Sequence, residues 1–217
     1  MPRQPIIFAA MHTEAKAIRK GLGRNAPIHV IGIGGKSLPS PAELAMAGCI
    51  ILAGFGGALD PTLKVGDLVL DTDFELPGLP FRRGKIHGSD KLIAASSEKT
   101  TLFRTTGAMA VDMETQGVQS LARQMGLPFI GLRAITDTAE DALDPALLRF
   151  TNSFGGVKPL SLAATLARQP SIVPRLLHLG RCAKIAGRSL TEGMPQLWAA
   201  LLPALLEISS HSPSPVP

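Results

Sequence analysis

The sequence predicts a single α/β domain with a mostly parallel or mixed, twisted central sheet flanked by helices, followed by a helical C-terminal extension. Apolar runs typical of buried strands alternate with helical patterns over roughly the first 140 residues. After Asp144-Pro145 the pattern turns helical. Acidic residues follow several of the apolar runs, which is where ligands bind in open parallel sheets. One pattern therefore predicts both the fold class and the place of a site.

The elements can be assigned in chain order. The first strand, at residues 6–10, leads into a helix that carries Glu14. Further strands are predicted at residues 28–33, 49–54, 67–70 and 128–135, and helices from about Glu43, at residues 114–125, and near residues 160–168, 172–188 and 195–208. The expected organisation is an α/β core over residues 1–150, a helical part of the same domain over 151–209, and a proline-rich, disordered tail over 210–217.

Composition narrows the class of protein. The formal net charge is +5, but the chain has no tyrosine, few aromatic residues and no block of lysine and arginine, so no nucleic-acid partner is expected. Cys49 and Cys182 lack metal-ligand spacing and are expected to be reduced thiols. The N-terminal apolar run is too short for a signal peptide, and no run of eighteen apolar residues occurs. We therefore expect a cytoplasmic protein, with membrane contact at most peripheral.

Three carboxylates stand out because each follows a predicted strand: Glu14, Glu114 and Asp137. A glycine-rich stretch, residues 32–37, superficially resembles a phosphate-binding P-loop, but Val30 stands where that motif needs glycine. We interpret this stretch as a tight turn whose backbone N–H groups can face an anion.

Four motifs in order carry a family resemblance. They are Gly54-Phe55-Gly56-Gly57, Lys64-Val65-Gly66-Asp67, Val111-Asp112-Met113-Glu114 and Ile135-Thr136-Asp137. Through about residues 5–140 the chain resembles the nucleoside phosphorylase superfamily, close to the methylthioadenosine and adenosylhomocysteine nucleosidases. The C-terminal third resembles the hopanoid-associated phosphorylase subfamily, which implies removal of adenine from adenosylhopane.

The resemblance implies a role for each motif residue. Asp137 would protonate or hydrogen-bond the purine N7, and Glu14 would activate the attacking water. Glu114 would hold the ribose hydroxyls and favour positive charge on the sugar. The remaining substrate-binding candidates are Met113, Phe55, Gly56, Gly57 and Arg133, the last either orienting an acidic residue or meeting phosphate.

Ordinary structural roles compete with each of these assignments. Asp137 could cap a following helix, and Glu114 could begin a solvated helix with Met113 in the core. Glu14 could be a surface residue paired with Arg19.

Two departures from the nucleosidases bear on the substrate. The middle of the chain, between Asp71 and Ala110, is short, which leaves only Phe74, Phe81 and Phe103 as loose candidates for stacking on the base. The basic helix predicted near residues 172–188 could lie on an anionic membrane or pack on the sheet or on a second subunit. The basic residues of this helix are Arg175, His178, Arg181, Lys184 and Arg188.

The sequence thus predicts an enzyme that cleaves adenine from a 5′-modified adenosine, by hydrolysis or phosphorolysis, with adenosylhopane as the first substrate candidate. A methylthioadenosine or adenosylhomocysteine nucleosidase is the alternative, and a non-catalytic nucleoside-binding module is a third. No metal or organic cofactor is expected, inorganic phosphate is a conceivable co-substrate, and the resemblance implies a homo-oligomer.

Overall fold

The computed structural model describes residues 4–143, 154–155 and 172–210, and side chains as far as residue 205. The helix predicted at 160–168 and the tail after residue 210 lie outside these ranges. The strands are β1 (Gln4–Ala9), β2 (Ile28–Val30), β3 (Ala47–Ala58), β4 (Leu68–Thr72), β5 (Arg82–Arg83), β6 (Ile86–Gly88), β7 (Ala110–Asp112) and β8 (Phe129–Asp137). The helices are α1 (His12–Leu22), α2 (Ser96–Thr106), α3 (Thr115–Gln124) and α4 (Val173–Ser210).

The strands form one mixed sheet in the order β2-β1-β3-β8-β4-β5. Strands β2, β1, β3 and β8 are parallel to one another, whereas β4 is antiparallel to β8. Strand β7 pairs antiparallel with the end of β3 and parallel with β6. This confirms the predicted α/β class with a mixed central sheet, and it brings the ends of β3, β7 and β8 to one edge.

Both faces of the central strands are buried, as their continuous apolar runs predict. On one face Ile7 and Ile51 pack in a cluster with Leu190 and Met194 of α4, and we call this group the α4 cluster. On the opposite face Phe8, Leu52 and Val118 of α3 form a second cluster. Burial of alternate residues on two faces holds β1 and β3 in register and so fixes where their carboxyl ends lie.

Two local predictions were wrong. Residues 41–46 form turns with backbone bonds three residues apart, as from Leu44 N–H to Pro41 C=O, and no helix. Glu43 instead accepts hydrogen bonds from the backbone and hydroxyl of Ser40. Strand β2 ends at Val30 rather than continuing to residue 33, because Gly32 turns the chain with a φ of 75°.

The two helices predicted at 172–188 and 195–208 are one helix, α4, with Pro195 and Pro203 inside it. Proline removes a backbone bond to the carbonyl four residues earlier, which for Pro195 is Thr191. The Thr191 carbonyl oxygen faces Gly21 of α1, where an added Cβ would lie 2.3 Å from it. Tertiary packing therefore overrides the helix-stop signal, since the buried stripe continues from Leu190 to Leu201.

Strands β5 and β6 and helix α2 were not predicted. These elements occupy the short middle of the chain. The three phenylalanines predicted as candidates for stacking on the base do not form one group. Phe81 is buried in the α4 cluster, Phe74 packs against that cluster, and Phe103 packs beside Leu59. In the part of the chain that the structure describes, no helix combines the length and apolar character needed to cross a bilayer.

Candidate active site

Arg133 is the centre of a buried cluster of charges at the edge formed by β3, β7 and β8. It lies on β8 and is fully buried. Its Nε donates to Asp112 Oδ2 at 2.5 Å, one Nη also contacts Asp112, and the same Nη lies 3.6 Å from Glu114 Oε2. Within the described residues, neither Nη atom of Arg133 makes a well-aligned hydrogen bond. Its Nη contacts with the acidic residues are therefore ion pairs. The arginine therefore orients acidic residues, one of its two predicted roles.

Glu14 lies in the first turn of α1 and is 1% exposed. Its two carboxylate oxygens accept the backbone N–H groups of Met11 and Phe55, each at 2.7 Å. Burial raises the pKa of Glu14 to about 7, against the opposing effect of the Arg133 charge. The alternative of a surface residue paired with Arg19 was wrong, and the residue is placed to act as a base near neutral pH.

Glu114 is the residue before α3 and is also buried. Its Oε1 accepts the backbone N–H of Gly34 at 2.9 Å. The glycine-rich stretch therefore forms the predicted tight turn, and the anion that its N–H faces is this carboxylate. Burial raises the pKa of Glu114, while the Arg133 charge lowers it. The alternative of a solvated helix start was wrong.

Asp137 ends β8 and is 6% exposed. It accepts hydrogen bonds from the Thr136 hydroxyl at 2.9 Å and from Lys99 Nζ at 2.5 Å. The alternative of an N-cap was wrong, since residues 138–143 contain no helix. Thr138 instead donates to Asp141 in a local turn.

Lys99, on α2, is fully buried and donates to three acceptors. Besides Asp137, it reaches the backbone carbonyls of Thr138 at 2.7 Å and Asp141 at 3.0 Å. A buried ammonium is stable only when such partners replace its hydration. The lysine thus ties α2 to the end of β8 through the candidate catalytic carboxylate.

The glycines of β3 make room for these groups. A Cβ on Gly54 would lie 2.5 Å from Glu14 Oε1 and 2.7 Å from an Arg133 Nη. A Cβ on Gly57 would lie 2.8 Å from Asp137 Oδ2, and one on Gly56 would lie 3.1 Å from the Val111 carbonyl. The predicted motif residues Gly56 and Gly57 therefore allow close approach of the site to the strand.

Asp137 lies between two cavities. The first, of about 40 Å³, is lined mainly by apolar side chains and includes Met113 and Asp137. The second, of about 100 Å³, lies on the side of α4 and is lined by Asp137, Asp141 and His178. Apolar walls with a carboxylate at one end suit a flat heterocycle with a polar edge. The first cavity is smaller than ordinary ligand pockets, so its walls must part to take a purine.

Comparison with known proteins agrees with this architecture. Residues 71–158 match the model of a family described as the phosphorylase superfamily, and the matched segment contains Asp112, Glu114, Arg133 and Asp137. This segment, less than half of the chain, is thus similar to that family. The matched segment also includes Lys99. It begins after α1 and therefore does not include Glu14.

Proteins similar in sequence to this chain include a nucleosidase. The 5′-methylthioadenosine/S-adenosylhomocysteine nucleosidase of Staphylococcus haemolyticus is 26% identical over 140 residues, covering 46% of this chain and 61% of that protein. The match thus spans less than two thirds of that relative.

Solved structures extend the likeness of the fold. The nucleosidase of the same name from Helicobacter pylori has a TM-score of 0.59 at 17% identity, over 93% of this chain and 99% of that one. The nucleosidase from S. pneumoniae has a TM-score of 0.60 at 17% identity, over 91% of this chain and 99% of that one. Futalosine hydrolase of H. pylori gives 0.50 at 20% identity, over 63% and 88%. At these identities the likeness shows the fold.

The structure brings Glu14, Glu114 and Arg133 together, and their roles in binding and catalysis stay predictions. Other residues have contacts that the sequence did not predict. Phe55 contributes its backbone N–H to Glu14, while its ring packs against the α4 cluster. Sequence reasoning missed Lys99, because a lysine within the polar segment Ser96–Thr106 has the composition of a solvated helix. It quoted Asp112 within a motif without giving it a role, although an Asp three residues before Thr115 is a common capping signal.

Proposed function

We propose that this protein cleaves the N-glycosidic bond of a 5′-modified adenosine and releases adenine. The observation that carries the proposal is the buried Glu14 carboxylate, held by two backbone N–H groups next to Arg133, with a pKa raised to about 7. Such a group can take a proton from water at neutral pH, as a general base must. The nucleosidase relatives and the fold support the same reaction class.

In the proposed reaction the bond between C1′ of the ribose and N9 of the purine breaks, and its electrons go to the base. Glu14 removes a proton from the water that adds to C1′. Glu114 accepts hydrogen bonds from the ribose hydroxyls, and its negative charge favours the positive charge that develops on the sugar. Asp137 donates a proton to N7 as the base leaves, and the proton that Glu14 takes from water balances this transfer.

Water is the nucleophile that the charge cluster favours. Arg133 is fully buried and faces Asp112, Glu114 and Glu14, so its charge is already met by carboxylates. Phosphate at this point would be repelled by the same carboxylates. We therefore propose hydrolysis, with phosphate as a co-substrate only in the phosphorolytic alternative and no metal or organic cofactor.

We propose adenosylhopane as the substrate, on the resemblance of the C-terminal third to the hopanoid-associated subfamily. Methylthioadenosine and adenosylhomocysteine are the alternative substrates, supported by the name of the Staphylococcus haemolyticus relative. A lipid-linked nucleoside would lie in or near a membrane. The protein would then act in the cytoplasm at the membrane surface.

A basic groove supports peripheral membrane contact. It lies between α1 and α4, has a volume of about 890 Å³, and carries five cationic side chains and one carboxylate, Glu192. The cationic residues are Lys16, Lys20, Arg181, Lys184 and Arg188. On α4, the side chains of Leu177 and Ile185 are 58% and 50% exposed. Cations beside exposed apolar side chains are the features by which a helix binds an anionic bilayer surface.

We also propose a homo-oligomer, as the family resemblance implies. Sedimentation velocity over a range of protein concentrations tests it, and a monomer at every concentration would contradict it.

The decisive experiment measures adenine release from adenosylhopane in detergent micelles and from methylthioadenosine, each with and without phosphate, and identifies the sugar product. Free ribose derivative without phosphate supports hydrolysis, whereas a sugar phosphate supports phosphorolysis. Saturable adenosine binding without release of base would instead indicate a binding module.

Glu114→Gln and Asp137→Asn are expected to lose at least 100-fold in adenine release while keeping the fold. Near-normal activity of either variant would remove that residue from the mechanism.

A further inference from the structure

We propose that Asp112 is a positioning residue for the reaction: it holds the guanidinium of Arg133 against its own carboxylate and so keeps that cation out of a close pair with Glu14 or Glu114. The Asp112 side chain is 1% exposed, so it acts through Arg133 rather than on the substrate. The inference rests on the proposed function, because it concerns the carboxylates assigned to water and to ribose. It deepens that function by giving a role to a buried residue that none of the proposed steps uses.

The hydrogen bonds of Asp112 carry the proposal. Its Oδ2 accepts Arg133 Nε at 2.5 Å and the Thr115 hydroxyl at 2.6 Å. Its Oδ1 accepts the backbone N–H groups of Thr115 at 2.9 Å and of Glu114 at 3.2 Å. Both oxygens thus accept two hydrogen bonds each, which leaves no position for a carboxyl proton. In this arrangement Asp112 is an ionised carboxylate.

Arg133 is closer to Asp112 than to the carboxylates assigned to the reaction. Its Nε and one Nη contact Asp112 Oδ2, whereas the same Nη lies 3.6 Å from Glu114 Oε2. Among the described residues, its ion pairs are those with Asp112 and Glu114. Glu14 is held instead by two backbone N–H groups. The guanidinium is therefore paired mainly with a residue that takes no part in the chemistry.

The backbone around Asp112 keeps this arrangement in place. Asp112 ends β7 and lies opposite Gly88 of β6 in a parallel pair of strands. Its carbonyl oxygen accepts the backbone N–H of Ser89 at 2.8 Å. One residue thus connects the sheet, the start of α3 and Arg133, and the guanidinium cannot turn towards Glu14 without leaving its closest partner.

The charges that act on Glu14 come from two elements. Arg133 lies on β8 and Glu114 precedes α3, while β3 contributes the backbone N–H of Phe55. The cations of α4 line the basic groove instead, on the face of α1 that carries Lys16. A change in the pairing of Arg133 is therefore the change that Glu14 should respond to most strongly.

The direction of that response is determined by the sign of the charges. Burial raises the pKa of Glu14, and the Arg133 charge opposes burial. If the Asp112 charge is removed, a larger share of the Arg133 charge acts on Glu14 and Glu114. An opposite charge favours the ionised form, so the pKa of Glu14 should fall and Glu14 should become a weaker base.

The test compares the pH profile of kcat/KM between pH 5 and 9 for three proteins: the unmodified protein, Asp112→Asn and Thr115→Val. Asparagine has nearly the shape of aspartate but no charge. Thr115→Val is the matched control, because it removes one of the four hydrogen bonds to Asp112 and leaves the charge in place. We expect the rising part of the profile to lie at least about 1 pH unit lower in Asp112→Asn, the lower end of the range for a nearby opposite charge. In Thr115→Val it should not move, even if the variant is less stable.

The outcomes separate the possible failures. An unchanged or higher midpoint in Asp112→Asn would overturn the positioning role and leave the proposed function standing. If the unmodified protein releases no adenine, the proposed function fails and this inference fails with it. If Asp112→Asn is too slow for a pH profile, a carbon-13 NMR titration of the Glu14 carboxyl, assigned with Glu14→Gln, gives the same comparison.

A second variant is measured if Asp112→Asn does not fold. Asp112→Asn combined with Arg133→Met removes both buried charges, and with them the cation that opposes burial at Glu14. The proposal then requires Glu14 to titrate at or above the pH found for the unmodified protein. Titration at a lower pH would overturn it.

Discussion

Glu14 and Arg133 pack against the same glycine, Gly54, on strand β3, with Glu14 Oε1 2.5 Å and an Arg133 Nη 2.7 Å from the position that a Cβ would occupy. A carboxylate from α1 and a guanidinium from β8 thus approach each other across a strand that has no side chain at that point. The charge cluster depends on this gap.

We expect Gly54→Ala to destabilise the protein by about 2 kcal/mol or more and to abolish adenine release, because the added methyl group displaces buried charged groups. Chemical denaturation and a turnover assay measure the two effects. Gly117→Ala is the matched control, since an added Cβ there meets nothing within 4 Å on helix α3. It is expected to be neutral or to stabilise by up to about 1 kcal/mol. Equal stability of the two variants would contradict the packing argument.

The pH dependence of adenine release is expected to follow Glu14. Because the base must be ionised to take a proton from water, activity should rise with pH through the pKa of about 7 and level off above it. The measurement is kcat/KM between pH 5 and 9 at constant ionic strength. Glu14→Gln should be inactive across the range, and a fall in activity as pH rises through 7 would rule out a role as base.

The same carboxyl group is expected to make stability depend on pH. The folded pKa of about 7 lies above the ordinary value of 4.5, so between these values the folded state binds more protons than the unfolded state. The stabilising effect of this proton is fully present below pH 4.5 and is lost as pH rises towards 7, a change on the order of 3 kcal/mol.

Urea unfolding of the unmodified protein and of Glu14→Gln at several pH values tests this. Glutamine does not titrate, so the stability of the variant relative to the unmodified protein should increase from pH 4.5 to 7. Glu43→Gln provides the control, because Glu43 is exposed and hydrogen bonds from Ser40 lower its pKa. Its relative stability should change in the opposite direction as pH rises. A pH-independent difference for Glu14→Gln would show that the group does not titrate in this range.

Membrane binding is expected to depend on the basic groove. Cosedimentation with vesicles that contain 30% anionic phospholipid, a roughly physiological surface charge, should retain the unmodified protein. Lys184→Glu with Arg188→Glu should weaken binding at least 10-fold, since each cation contributes about 1 kcal/mol at such a surface. Arg104→Glu with Arg123→Glu makes the same change of charge on exposed positions outside the groove. Equal loss in both double variants would indicate nonspecific attraction.

Much of the framework was predictable because it depends on local pattern. The apolar run before Asp137 and the motif that contains Glu114 predicted a strand end and a helix start, and both are present. The helix predicted from about Glu43 failed because hydrogen bonds between Ser40 and Glu43 stabilise a turn instead. The break predicted before Pro195 failed because the apolar stripe of α4 remains buried on both sides of it.

The sequence by itself determined the α/β class, the positions of the central strands along the chain and the identity of three carboxylates that follow strands. Periodicity and turn residues act over a few neighbouring positions, so a local pattern is enough to predict these features. Only the tertiary structure decided which charges meet. Arg133 joins Asp112, Glu114 and Glu14, and Lys99 reaches Asp137 from a helix 38 residues away in the chain. The physical reason is that the energy of a charge depends on burial and on partners brought by distant segments, which no local pattern contains.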